Sequence, residues 1–554
     1  MFNGAAASRR NAAVLDVMRN HDLRLLQLGW GAFYLIEWTA LVALSVWAYD
    51  EGGASAIGLV GLARLLPGAI ALPFGALAAD RVSRRTLVAG VFLAIAAVHA
   101  ALAVAVGTGA SAIVVYTLVG LSSVVAAPYR PAHLALAPLL ARSPQELVAA
   151  NVTTGAIEGL AAFVGPTLAG VVLLNSSAWV VLAISAVTAA AGCAAVVGIR
   201  PTMDPSKSAG SEAEGPVAAL AGGLRALRND SDSALLVGCY VAQLFVRGLL
   251  TVLLTLLAFD LLGLGSSGVG WLVAAMGVGG IVGAAISLGL TGKRRLGIPV
   301  AVGLVLWGLP IAVVGALPRL IVAYAALVVI GIGNSLLDVA GTSLLQRLGD
   351  DRALGRIFGV LYTFGIAMAG LGSVLVPPAI ETLGLRRTML IVGAILPLIA
   401  VLSLPRIRRM DQRSQPPAEE LDIIARIPLL AALPPTTLEK IAYRCLLREV
   451  AAGEVVIAEG EPAAEFFAIA DGELEVSQSG SVRNRLTRGD HFGEIALMRG
   501  STRTATVRAT SAARLVVLSR TDFLDCVTGS AISYTVAERG VTALLAGDIT
   551  DRRP

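Results

Sequence analysis

The feature that most constrains this chain is a series of apolar runs, each about 20 residues and so long enough to cross a bilayer. In hydrocarbon every backbone N–H and C=O must be bonded within its own segment, so such runs fold as helices. They fall at about 27–49, 56–79, 86–107, 109–140, 146–174, 177–199, 234–262, 266–290, 298–316, 319–346, 353–380 and 385–405. Only 15% of the residues are charged and the mean hydropathy is +0.78, values far from those of a soluble protein of this length. The expected fold class is an all-α membrane bundle of about twelve transmembrane helices in two pseudo-symmetric six-helix halves, with a small β domain behind it.

The expected organisation is an N-terminal segment (1–26), a first six-helix half (27–199), a linker (200–233), a second six-helix half (234–405), a hinge (406–420) and a soluble domain (421–554). The linker carries Pro201, Asp204, Pro205, Lys207 and Ser208 and reads as partly flexible. Counting loops alternately, one face receives Arg84, Arg85, Arg142, Arg200, Lys293, Arg294, Arg295, Arg347 and Arg406, and the other only Arg319, Arg386 and Arg387. By the positive-inside rule both termini are expected in the cytoplasm, with the chain multi-pass in the plasma (inner) membrane. The net charge of +5 therefore follows membrane topology, and no nucleic-acid partner is expected. Met1 to Arg24 is polar and basic, so no cleaved signal peptide is expected. Cys193, Cys239, Cys445 and Cys526 have no paired or metal-like spacing and read as free thiols. Ser55-Ala56-Ile57-Gly58 and Ser267-Gly268-Val269-Gly270 begin corresponding spans of the two halves, as duplicated carriers do.

Gly75-Ala76-Leu77-Ala78-Ala79-Asp80-Arg81-Val82-Ser83-Arg84-Arg85 follows the second span. Asp80 suits a helix N-terminus or a neighbouring Arg, while Arg84 and Arg85 hold the loop at the basic face. Gly165-Pro166-Thr167-Leu168-Ala169-Gly170 lies in the fifth span, where small residues allow close helix approach and Pro166 frees a carbonyl. The first stretch resembles the loop signature of major facilitator transporters, with Ala76 and Ser83 where Gly is usual. The second resembles the Gly-Pro signature of exporters in that superfamily, with Ala169 in place of a frequent Gly. Pro128-Tyr129-Arg130-Pro131, Ala150-Asn151, Gln346-Arg347 and Gly355-Arg356-Ile357-Phe358-Gly359 are similar to the enterobactin-exporter-like branch. The resemblance implies a secondary transporter, and efflux in preference to uptake.

Ionisable residues inside apolar spans are costly and mark a cavity or a partner. Here they are Glu37, Arg64, Arg130, Glu158, Arg247 and Asp338. A proton-coupled carrier needs a carboxylate that alternates between charged and neutral. Glu37 is the first candidate, with apolar neighbours on both sides, followed by Glu158 and Asp338. The competing reading pairs these carboxylates permanently with Arg64, Arg130 or Arg247.

Past Pro405 the composition changes. Short β-branched runs at about 454–458, 465–470, 473–477, 504–508 and 514–518 alternate with glycine-containing turns, a pattern of antiparallel barrels and jelly rolls. Within it stands Gly489-Asp490-His491-Phe492-Gly493-Glu494-Ile495-Ala496-Leu497, then Arg503-Thr504-Ala505-Thr506-Val507. A short helix starting near Glu494 would offer the free N–H groups of Ile495 and Ala496 to an anion. Gly493 allows close backbone approach. The stretch resembles the phosphate-binding cassette of cyclic-nucleotide-binding domains, and Ile427-Pro428-Leu429-Leu430 resembles the leading helix of that module. The resemblance implies that Arg503 pairs with the cyclic phosphate and that Glu494 accepts from the ribose 2′-hydroxyl. Phe492, Thr504 and Ala505 complete the cassette, and His491 reads as a turn residue. Either cAMP or cGMP is the implied ligand, and a hydroxyl at Thr504 suits the guanine amino group of the latter.

No metal cluster, hydrolytic triad or kinase loop is present in the sequence, so neither an enzyme nor a cofactor beyond the regulatory nucleotide is expected. The expected function is a secondary transporter, proton-coupled and exporting a small molecule, under cyclic-nucleotide control. Two other readings remain at this point: a membrane-anchored nucleotide sensor without transport, and a transporter with a merely structural tail.

Overall fold

Helix α1 (His21–Arg81) has 61 residues, about 90 Å at 1.5 Å per residue, roughly three times the hydrocarbon thickness of a bilayer. It is two crossings joined at Gly52 and Gly53, where the backbone leaves helical geometry. Gly53 sits at φ 59°, ψ −141°, a conformation that only glycine takes easily. The first half continues with α2 (Arg84–Gly107), α3 (Ala112–Ala126), α4 (Tyr129–Leu140), α5 (Pro144–Val172) and α6 (Ala178–Val197). The fourth span, expected as one helix, is split between α3 and α4 at Pro128, which cannot donate the N–H that would continue the ladder.

This computed structural model describes residues 19–142, 144–200, 215–287, 289, 295–348, 351–413 and 445–528, with scattered positions between 420 and 444. The linker expected over 200–233 contains a helix, α7 (Pro216–Asn229), with Pro at its first turn. Gly222 and Gly223 let it lie close to the next half, since a Cβ on Gly223 would fall 2.5 Å from the Arg356 carbonyl oxygen. The second half comprises α8 (Ser231–Leu256), α9 (Gly265–Ser287), α10 (Gly297–Ala316), α11 (Leu320–Leu348), α12 (Asp351–Leu383) and α13 (Leu385–Arg413). Asp230 caps α8 by accepting from the Asp232 and Ser233 N–H groups. Helix α8 ends in a π-helical turn, Leu257–Leu261. Helix α13 runs past the expected end at 405, with Arg406 Nε paired to Asp232 Oδ1 at 3.2 Å. The first part of the expected hinge is therefore helix, and residues 414–419 lie outside the described ones. Eleven helices among the described residues are long and apolar enough to cross a membrane, and α1 counts twice, giving twelve crossings.

The halves meet along two seams, α1 against α12 and α5 against α9. Both are backbone-close. A Cβ on Gly61 would lie 2.6 Å from Ser373 Oγ, and one on Gly270 2.5 Å from the Pro166 carbonyl oxygen. Small residues drive such approach where lipid supplies no hydrophobic force between helices.

The chain's second compact unit begins at Asp411. Its strands are β1 (Leu446–Val450), β2 (Val455–Ile457), β3 (Glu465–Asp471), β4 (Leu474–Gln478), β5 (Ser481–Leu486), β6 (His491–Phe492), β7 (Thr506–Ala509) and β8 (Ala513–Ser519), with helices α14 (Glu494–Arg499) and α15 (Arg520–Thr528). They form two antiparallel four-stranded sheets, ordered β1-β8-β3-β6 and β2-β7-β4-β5, a double-sheet jelly roll and not a closed barrel. Strands β3 and β8 are buried on both faces. Phe467, Ile469, Leu515 and Val517 fill the core between the sheets, while Phe466, Ala468, Val516 and Leu518 pack outward on Ile424, Ile427 and Phe523. His491, expected in a turn, pairs with Ala468 within β6.

Candidate functional site

In the membrane unit a cavity of about 440 Å³ opens between the halves. Glu37, Arg64, Arg130, Glu158 and Arg247 line it, together with Tyr34. Asp338, outside the lining, lies within electrostatic range of Arg247, Glu158 and Arg130. The six ionisable residues singled out in the sequence are thus brought together from six different crossings. Arg64 Nη2 donates to Glu37 Oε2 at 3.0 Å, so this acid and base are paired. Arg130 stands over the Tyr362 ring, 5.7 Å from its centroid. The Tyr34 hydroxyl hydrogen-bonds Glu158. Asp338 Oδ2 accepts from Asn334 Nδ2 at 2.9 Å, and Asn334 Oδ1 in turn accepts from Trp307 Nε1 at 3.1 Å. The Arg247 guanidinium makes no hydrogen bond among the described residues.

One end of the cavity is shut. The Tyr49 hydroxyl donates to Asp260 Oδ1 at 2.6 Å, joining α1 at its glycine corner to the π turn after α8. The Tyr49 ring stacks on Phe259 at 3.9 Å. Beside it Ser373 Oγ donates to the Gly58 carbonyl at 3.0 Å, and Ser266 Oγ to the Leu173 carbonyl at 3.3 Å. All three bonds cross between the halves.

The two transporter motifs play different parts. Gly165 faces α1 within its own half, where a Cβ would lie 2.7 Å from Trp38 Cβ. Pro166 and Gly170 face Gly270 on α9 and form the second seam. Arg84 Nη1 donates to the Ala135 carbonyl at 3.3 Å, and Arg85 Nη2 to that of Val197, the last residue of α6, at 2.5 Å. Cations at helix C-termini are favoured by the helix dipole. The side chains of Asp80 and Arg81 lie outside the described residues. The sequence reading passed over Tyr34, Tyr49 and Asp260, and also His99, whose Nε2 lies 3.0 Å from Ser122 Oγ in the cavity wall. Tyr34 precedes Glu37 by one helical turn, a signal that was available.

In the second unit β6 delivers Phe492 and Gly493 to the start of α14. Phe492 stacks on Phe467 at 5.0 Å. Gly493 takes φ +92°, and a Cβ there would lie 2.7 Å from Arg503 Nη1, so the position requires glycine twice over. No side chain caps α14, which leaves the N–H groups of its first turn, at Ile495 and Ala496, open to an anion. Arg503 is 5% exposed, donating from Nη1 to the Gly493 carbonyl at 3.1 Å and from Nη2 to that of Glu465 at 2.7 Å. Its guanidinium lies over the Phe467 ring. Burial holds the Arg503 pKa below the usual arginine value, against the pull of Glu465, Glu461 and Glu494. Glu494 is also 5% exposed, and its Oε2 has no hydrogen-bond partner among the described residues. A buried carboxylate oxygen in that state is costly and fits a donor from outside the protein. Thr504 is exposed and Ala505 half-buried beside Arg503. A fixed guanidinium, open amides and an orphan acceptor can hold a ligand bearing both an anionic group and a hydroxyl.

Known proteins agree with both halves of this description. A cAMP-dependent protein kinase regulatory subunit of Mycosarcoma maydis is 42% identical over 103 residues, 17% of this chain and 20% of that protein. A cGMP-dependent protein kinase of Caenorhabditis elegans is 43% identical over 72 residues, 13% of this chain and 9% of that protein. The chain thus spans a fifth or less of these curated relatives. A crystal structure of the nucleoside transporter NupG shares the membrane fold, with a TM-score of 0.59 at 14% identity over 71% of this chain and 100% of that one. The sequence matches the cyclic nucleotide-binding domain over residues 447–529 and the Major Facilitator Superfamily over residues 28–373, more than half of its length. The chain is therefore a multi-pass membrane protein that belongs to the Major Facilitator Superfamily and carries a C-terminal cyclic nucleotide-binding domain.

Proposed function

We propose that the protein is a secondary active transporter that exports a small molecule in exchange for protons, and that cAMP or cGMP at its C-terminal domain sets its rate. The observation that carries this reading is the joint presence, in one chain, of a charge-lined cavity and of a buried Arg503 beside an orphan Glu494 oxygen. In the nucleotide site Arg503 and the first-turn amides of α14 take the cyclic phosphate, and Glu494 takes the ribose hydroxyl. Export rests on the Gly165-Pro166-Gly170 signature. The asymmetry of Arg and Lys supports a plasma (inner) membrane location with both termini in the cytoplasm. The shut end at Tyr49 and Asp260 then faces outward.

We assign the exchanged proton to Glu158. Glu37 is paired with Arg64 at 3.0 Å and Asp338 is bonded to Asn334, whereas Glu158 lines the cavity beside a tyrosine hydroxyl. Proteoliposomes carrying full-length protein test the whole reading. An imposed pH gradient should drive substrate flux, nucleotide should change its rate, and Glu158→Gln should abolish the drive while leaving nucleotide binding intact. Nucleotide binding without any flux would instead identify a membrane-anchored sensor. Flux indifferent to nucleotide would leave the tail a structural domain.

A further inference from the structure

Arg130 and Arg247 each lie within electrostatic range of both Glu158 and Asp338, yet none of the four makes a direct ion pair with another. Their contacts are a tyrosine ring for Arg130, a tyrosine hydroxyl for Glu158 and an asparagine amide for Asp338. Ionised groups held within membrane spans without an ion-pair partner are expensive. The same cavity closes an ion pair where the geometry permits, between Glu37 and Arg64. The four are therefore held apart by the positions of their helices. Arg130 and Glu158 come from the first half, on α4 and α5, and Arg247 and Asp338 from the second, on α8 and α11. Each half contributes one acid and one base to this set, three of them in the cavity lining and Asp338 behind it, within electrostatic range of Arg247.

Resting on the reading of this cavity as the transport pathway, we propose that the substrate is amphoteric. Its oxyanion end lies between Arg130 and Arg247, and its cationic end lies against Glu158, in the field of Asp338. Charge balance decides against the simpler ligands. The four side chains sum to zero, so an organic anion alone would leave one uncompensated negative charge when the cavity closes. A cation alone would leave one positive charge. A zwitterion leaves none, and it answers all four unpaired groups at once. It also bridges the halves, because its oxyanion end meets one arginine from each of them. Phe33, Trp38, Leu41 and Met276 supply apolar wall for the body between the two ends. A proton on Glu158 removes one partner of the cationic end, so proton and substrate exclude each other, as exchange requires.

The test is equilibrium binding to the purified full-length protein, by calorimetry, of three probes with one aromatic body. These are para-aminomethylbenzoate (both charges), para-toluate (anion only) and para-methylbenzylammonium (cation only). We expect the zwitterion to bind at least tenfold more tightly than either singly charged probe. Arg130→Gln and Arg247→Gln should each reduce that affinity at least tenfold, with cyclic-nucleotide binding unchanged as the control for folding. Equal or tighter binding of either singly charged probe would overturn the assignment. So would the absence of binding by all three, or binding unmoved by both substitutions. No gradient is applied, so a carrier that fails to couple to protons still gives a clear answer here, and failure here leaves the proton-driven flux test standing.

Discussion

At the scale of single residues, Arg503 works on two fronts. It anchors the Gly493 and Glu465 carbonyls, and it holds a cationic fork beside the open amides of α14. Arg503→Ala should therefore weaken nucleotide binding by about 2–5 kcal/mol, whereas Glu494→Ala, which loses one ribose contact, should cost about 1–3 kcal/mol. Calorimetric titration of both variants with cAMP checks the order, and equal losses would show the roles misassigned. Thr504→Ala should lower cGMP affinity by about 1 kcal/mol and spare cAMP, read in the same titrations with both ligands. The cassette was legible because its glycine, acid and arginine lie close along the chain. Glu465 and Phe467 were not, because β3 reaches the site only through sheet pairing with β6.

At the scale of elements, legibility followed burial. Strands β3 and β8 read as apolar runs because both of their faces are covered. Strands β1 and β5 escaped notice because they stand at sheet edges and are mostly exposed, so their sequences carry little apolar alternation. Helix α7 was hidden by Gly222-Gly223, which lower its propensity while allowing its close approach to Arg356. The twelve crossings were plain in composition, but the corner at Gly52-Gly53 and the break at Pro128 are matters of backbone geometry. The bond between Tyr49 and Asp260 gives a prediction at this scale. Tyr49→Phe keeps the stack on Phe259 and removes only the hydroxyl, so it should favour the state open at that end by about 1 kcal/mol, or roughly fivefold. The labelling rate of Ser45→Cys, in the cavity wall, by a thiol reagent applied from that side should rise accordingly.

For the whole molecule, nucleotide control has to be reciprocal. If cAMP or cGMP favours one state of the carrier, locking the carrier must change nucleotide affinity by the same factor, typically about 5–150-fold for a coupling of about 1–3 kcal/mol. A bifunctional thiol crosslinker joining Tyr49→Cys to Asp260→Cys should lock the shut end, and titration of the crosslinked and uncrosslinked protein measures the factor. Identical affinities would dispose of the coupling. The distribution of charge over the halves has a separate electrical consequence. Arg130 with Glu158, Glu37 with Arg64, and Arg247 with Asp338 each sum to zero within one half. Rocking either half through the membrane field therefore displaces no net charge from these residues, where one uncompensated charge would feel about 2.3 kcal/mol per 100 mV. The empty carrier, and the carrier loaded with a zwitterion, should cycle at rates indifferent to voltage, and membrane potential should act only on the step in which the proton rides.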